Sequence, residues 1–85
     1  MVKVLMYLTA SCPFCQSAER LLREKGVEAE KIRVDLEPAR RAEMMQKSGR
    51  RTVPQIWIDG RHIGGCDDLY ALEHAGKLDA LLKAS

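Results

Sequence analysis

The strongest constraint on the fold of this chain is the junction at which an apolar run passes into an amphipathic one through Cys12-Pro13-Phe14-Cys15. Residues Val2 to Leu8 are almost continuously apolar, as in a central strand covered on both faces. Thr9 to Ser11 read as a short turn, and Pro13 to Gly26 as a helix. Cys15, Ala18, Leu21 and Leu22 share one face of that helix, and Gly26 is a stop signal. Pro13 suits the first helical position, where its missing N–H costs nothing. Cys12 then stands at the helix N-terminal edge, where free amides and the positive end of the macrodipole favour an anion. A thiolate is the nucleophile of disulfide exchange, and Cys15, one turn on, is near enough to close a disulfide with Cys12. The junction predicts thiol–disulfide chemistry.

The rest of the chain places this junction in a sheet. Lys31 to Asp35 alternate as a second strand, and strand–helix–strand predicts a right-handed crossover and a parallel pair. Pro38 starts a second helix that ends at Ser48-Gly49, with Ala39, Ala42 and Met45 expected to face inward. Gln55 to Ile58 and Arg61 to Ile63 flank Asp59-Gly60, a strong signal for a hairpin with a type I′ turn. Trp57 and Met45 occur at core-like spacing. After Gly64-Gly65, Asp67 or Asp68 is expected to cap a last helical stretch, with Leu69, Leu72, Leu78, Leu81 and Leu82 as its apolar positions. Gly76 should divide that stretch in two. The order βαβαββα predicts an α/β fold: one domain over residues 1–85, with a four-stranded mixed sheet flanked by helices. A Cys-x-x-Cys beside a βαβ unit reads as a thioredoxin-like redox motif.

Composition narrows the alternatives. Fourteen Lys and Arg against 12 Asp and Glu give a net charge of +2, too little to suggest a nucleic-acid or membrane partner. The basic residues Arg40, Arg41, Lys47, Arg50 and Arg51 cluster, either as a solvated face or as a site for a small anion. Three cysteines do not form a secreted disulfide framework, and no signal-peptide pattern precedes the first strand. The expected compartment is the reducing cytoplasm.

Three motifs carry a resemblance to a known family. Cys12-Pro13-Phe14-Cys15, Thr52-Val53-Pro54-Gln55 and Gly64-Gly65-Cys66-Asp67-Asp68-Leu69 occur in the order and spacing of a glutaredoxin. The chain resembles the small bacterial dithiol members over nearly its whole length. The resemblance implies a thioredoxin-like fold with strand order 2-1-3-4. It also implies a glutathione-dependent oxidoreductase that serves cell redox homeostasis.

In that reading Cys12 is the nucleophile, Cys15 resolves, and the two form the redox-active disulfide. Thr52, Val53 and Pro54 line the substrate site, with a cis Val53–Pro54 bond, and the Val53 backbone pairs with an extended ligand. Phe14, where the family usually has Tyr, forms a wall against the ligand. Asp67 pairs with the γ-glutamyl ammonium, and the amides of Cys66 and Asp67 receive the adjoining carboxylate. The family usually has a lysine three residues before the nucleophile; here the position is Thr9, leaving Arg50 or Arg51 as the cation for the glycine carboxylate. Glutathione is a co-substrate, and no cofactor is tightly bound. Partners are glutathionylated or disulfide-containing proteins and, indirectly, glutathione reductase and NADPH, with the chain a monomer. Cys66 is expected to be a spare thiol, and His62 and His74 edge or surface residues.

Two rival readings are weaker. A glutathione-ligated iron–sulfur cluster suits a smaller residue than Pro13 beside the nucleophile. A zinc site from Cys12, Cys15, Cys66 and His62 needs four converging ligands, for which a helix-start pair around a proline is poor scaffolding. No metal site is therefore expected.

Overall fold

A computed structural model describes residues 2–83; Met1 and residues 84–85 lie outside it. The elements run β1 (Val4–Leu8), α1 (Pro13–Glu24), β2 (Glu30–Arg33), α2 (Pro38–Ser48), β3 (Gln55–Ile58), β4 (Arg61–Gly64), α3 (Cys66–His74) and α4 (Leu78–Lys83). The sheet order is β2-β1-β3-β4, with β1 parallel to β2 and antiparallel to β3, and β3 antiparallel to β4. This is the thioredoxin-like arrangement, with the final helical stretch divided at Gly76 as expected. Among the described residues no helix is long and apolar enough to cross a membrane.

Alternation along the strands divides the interior in two. Val4, Met6 and Leu8 of β1 and Ile56 and Ile58 of β3 face α1, α3 and α4, packing with Ala18, Leu21, Leu22, Leu69 and Leu78. Each fully buried leucine there is worth about 1.5–3 kcal/mol of apolar transfer. Lys25, at the end of α1, bridges to Glu73 at 2.8 Å and Asp79 at 3.0 Å, tying α1 to α3 and α4. Tyr7, Ile32 and Val34 face the other way, under α2, with Trp57 half-buried beside them.

The inward face of α2 differs from the sequence expectation. Ala39, Ala42 and Met45 are exposed, and the buried residue is Met44. The sheet beneath presents the hydroxyl of Tyr7, which is fully buried and needs a polar partner. Glu43 accepts that hydrogen bond, so the helix turns its Glu43–Met44 ridge inward instead of its alanine stripe. Burial and the Glu43 carboxylate raise the Tyr7 phenol to about 12.

The Asp59-Gly60 turn has positive φ at both residues, 49° and 80°, as a type I′ turn requires. It sets Trp57 opposite His62.

Candidate functional site

The junction read from sequence folds as a helix that caps itself with sulfur. Cys12 is the N-cap of α1 in extended conformation, and its Sγ accepts the Cys15 N–H at 3.0 Å. An N-cap side chain ordinarily supplies an oxygen for this purpose; here the acceptor is the thiol itself. An amide aimed at sulfur serves a thiolate, because an anionic acceptor forms the stronger bond. The same sulfur lies 3.8 Å from the Val53 carbonyl, to which the neutral S–H donates. Pro13 occupies the first turn, which carries no acidic residue to offset the positive helix end.

Cys15 lies one turn inward and is almost fully buried. Burial pushes its thiol well above the ordinary cysteine range, and its hydrogen bond with Cys12 adds to that. Cys12 is buried as well, at 7% exposure against 1% for Cys15, so Cys15 is the deeper of two buried thiols.

Beside Cys12, an open cleft of about 230 Å³ is lined by Phe14, Arg50, Thr52, Val53, Pro54, Gly65, Cys66, Asp67 and Asp68. One wall is the Arg50–Pro54 segment, with the Val53–Pro54 peptide cis. The other is the start of α3, and Phe14, 63% exposed, stands over the opening. Arg51 is exposed and does not line the cleft, so of the two candidate cations the fold brings in Arg50.

The capping of α3 also departs from expectation. Neither aspartate is the N-cap; that position is Gly65, because Asp68 sits at N3 and its Oδ2 accepts the Gly65 N–H at 2.9 Å. Asp67, one residue earlier, is exposed on the cleft side. The same Asp68 oxygen takes Arg50 NH1 at 2.8 Å, joining the two walls. The guanidinium, followed by the Gly65 amide, holds the Asp68 carboxyl below the usual range. Gly64 has φ +120°, and a Cβ there would run into the Asp68 carboxylate. That position admits only glycine without rearrangement. Beyond the capping expected of it, Asp68 is also a cleft residue. The three-residue spacing from Gly65 was the available signal.

Cys66 is buried at the cleft, and burial followed by the Asp67 charge raises its thiol. Thr9 belongs elsewhere. It opens onto a separate cavity with Cys15, Gln16, Glu19, Lys31 and Arg33, on the resolving side of the cysteine pair. His74 is exposed, and His62 lies half-buried on the edge strand. Among the described residues, no three His, Cys, Asp or Glu side chains gather as a metal site requires.

Comparisons with known proteins identify the family and the fold. The glutaredoxin family model matches residues 4–63. A Pseudomonas aeruginosa glutaredoxin is 57% identical over 84 residues, spanning 99% of this chain and all of that protein. The solution structure of a Brucella melitensis glutaredoxin superposes with a TM-score of 0.86 at 54% identity, covering 98% of this chain and 90% of that one. A crystal structure of a buckwheat glutaredoxin–glutathione complex gives a TM-score of 0.89 at 32% identity, covering 95% and 76%.

Proposed function

The chain belongs to the glutaredoxin family of thiol–disulfide oxidoreductases, and on that premise we propose that it reduces protein–glutathione mixed disulfides through Cys12 alone and protein disulfides through Cys12 and Cys15 together. The observation that carries this reading is the Cys15 amide 3.0 Å from the Cys12 sulfur, beside a cleft whose charges suit a zwitterionic peptide. Glutathione has two carboxylates and one ammonium. Asp67 complements the ammonium, and Arg50 the glycine carboxylate, with donors to spare beyond the one given to Asp68. The amides at the start of α3 suit the γ-glutamyl carboxylate. The Val53 backbone pairs with the extended peptide. Support for glutathione as the ligand comes from the buckwheat relative, whose crystal structure is of a complex with it.

In the first step the Cys12 thiolate attacks the glutathione sulfur of a mixed disulfide. A Cys12–glutathione bond forms, the protein–glutathione bond breaks, and the released protein thiolate takes a proton. A second glutathione thiolate then attacks the bound glutathione sulfur, giving glutathione disulfide and restoring the Cys12 thiolate. With a protein disulfide, Cys12 forms a mixed disulfide with one substrate sulfur. Cys15 loses its proton and attacks Cys12, releasing the substrate dithiol and leaving the Cys12–Cys15 disulfide for two glutathiones to reduce.

Burial raises the Cys15 thiol and so keeps it mostly protonated at neutral pH, in keeping with its role as the resolving cysteine. The reading places this activity in the cytoplasm, with glutathione reductase and NADPH recycling the product. A coupled assay with glutathione, glutathione reductase and NADPH on a small mixed disulfide tests it: saturable turnover that requires Cys12 is expected, and its absence overturns the proposal.

A further inference from the structure

Behind Thr52, on the side away from the cleft, runs a chain of polar side chains that the chemistry above does not use. Gln55 on β3 is fully buried. Its Nε2 donates to the Thr52 carbonyl at 3.0 Å and lies 3.3 Å from Thr52 Oγ1, while its Oε1 lies 2.8 Å from His62 Nε2 on β4. These contacts fix the protons. A backbone carbonyl only accepts, so the end of Gln55 facing Thr52 is the NH₂. The end facing His62 is then the oxygen, which also only accepts, so His62 Nε2 carries a hydrogen. Burial, aided by the Arg50 guanidinium and opposed by Asp68, lowers His62 below the ordinary histidine value. The downward shift favours the neutral imidazole, with its proton on Nε2. Its ring plane is set by Trp57, the cross-strand partner, whose ring lies 4.7 Å away.

Gln55 is buried and does not line the cleft, but its side chain bonds Thr52, which does. We propose that Gln55 and His62 are positioning residues for glutathione: the His62 Nε2–H orients the Gln55 amide, and that amide, bonded to the Thr52 carbonyl and close to its hydroxyl, fixes from behind the Thr52 segment that lines the cleft. This inference rests on the reading of the cleft as a glutathione site.

Its test separates positioning from hairpin stability. His62→Phe keeps a ring against Trp57 and removes only the donor, leaving the buried Gln55 oxygen unpaired. His62→Gln returns an amide N–H the same number of bonds from Cα. In the coupled assay, His62→Phe should raise the KM for glutathione about three- to tenfold, with kcat within about twofold of wild type. His62→Gln should recover most of that loss. An unmoved KM in His62→Phe, or a His62→Gln variant as impaired as His62→Phe, overturns the inference while wild-type saturation upholds the proposed function. A wild type without saturable glutathione dependence overturns both. Should His62→Phe not fold, ¹⁵N NMR of the wild-type imidazole decides: an Nε2–H tautomer at pH 7 is expected, and a proton on Nδ1 overturns the inference.

Discussion

Two helix N-termini bracket the functional site, and they use the same electrostatic device in opposite ways. At α1 the cap is the sulfur of Cys12, and the first turn contains no acid. The positive end of that helix therefore acts on the sulfur of Cys12, the proposed nucleophile. At α3 the cap is the backbone of Gly65, and the first turn holds both Asp67 and Asp68. Those carboxylates offset the helix charge and turn the end into a site for mixed charge, with Arg50 drawn against Asp68. The start of a helix thus does not by itself specify an anion site; the residues of the first turn decide what the site receives. In the proposed function one end serves reactivity and the other recognition.

Substitution at the reactive end should have the largest effect. Cys12→Ser is expected to abolish turnover on every substrate. Cys15→Ser should keep deglutathionylation and lose most protein-disulfide reduction. Iodoacetamide labelling read by mass spectrometry checks the assignment, and faster labelling of Cys15 than Cys12 would reverse it. Because burial raises the Cys15 thiol, its labelling in Cys12→Ser should remain slow at neutral pH and accelerate only in strong alkali.

At the recognition end, effects should fall on KM and spare thiol reactivity. Asp67→Ala is expected to raise the KM for glutathione about ten- to hundredfold, as loss of a charge-assisted hydrogen bond of about 1.5–3 kcal/mol implies. The Cys12 alkylation rate should stay unchanged. If both quantities moved together, the division between the two helix ends would fail.

Arg50 and Arg51 sharpen the same division. Arg50→Ala should raise KM several-fold, whereas Arg51→Ala, outside the cleft, should leave it near wild type. Arg50→Ala should also change acid stability. Asp68 is held low by Arg50, so its contribution is fully present above its unfolded value of about 3.9 and is lost as pH falls through its lower folded value. Removing Arg50 should narrow that acid-sensitive window, measured as Tm between neutral pH and strong acid. The effect should be modest, since the pair is roughly half-exposed.

The smallest effect is expected at Thr9. The fold places it in the cavity on the Cys15 side, near Lys31 and Arg33, away from the α3 wall. Thr9→Lys should therefore change glutathione KM only a few-fold, in keeping with an exposed pair worth about 0.2–1 kcal/mol. Thr9→Met is the uncharged control; identical behaviour of the two variants would show that the position has no electrostatic role.

Local pattern alone determined the order of elements, the sulfur at the start of α1, the buried stripe of Cys15, Ala18, Leu21 and Leu22, and the Asp59-Gly60 turn. These follow from side-chain periodicity, the fixed φ of proline and the positive φ that Gly and Asp tolerate, all properties of residues near one another in the chain. The resemblance carried by three short motifs implied the strand order and the cleft segments.

Tertiary structure decided where a residue's partner lies far along the chain. The inward face of α2 was illegible because Glu43 turns inward to satisfy a tyrosine 36 residues away. Arg50 and Arg51 are neighbours of one residue type, distinguished only when Asp68, 18 residues on, takes one of them. The roles of Asp67 and Asp68 separated for the same reason, one left facing the cleft and the other drawn into Gly65 and Arg50. Periodicity reports which side of a helix is apolar, but a buried polar group must find its partner wherever the fold brings one.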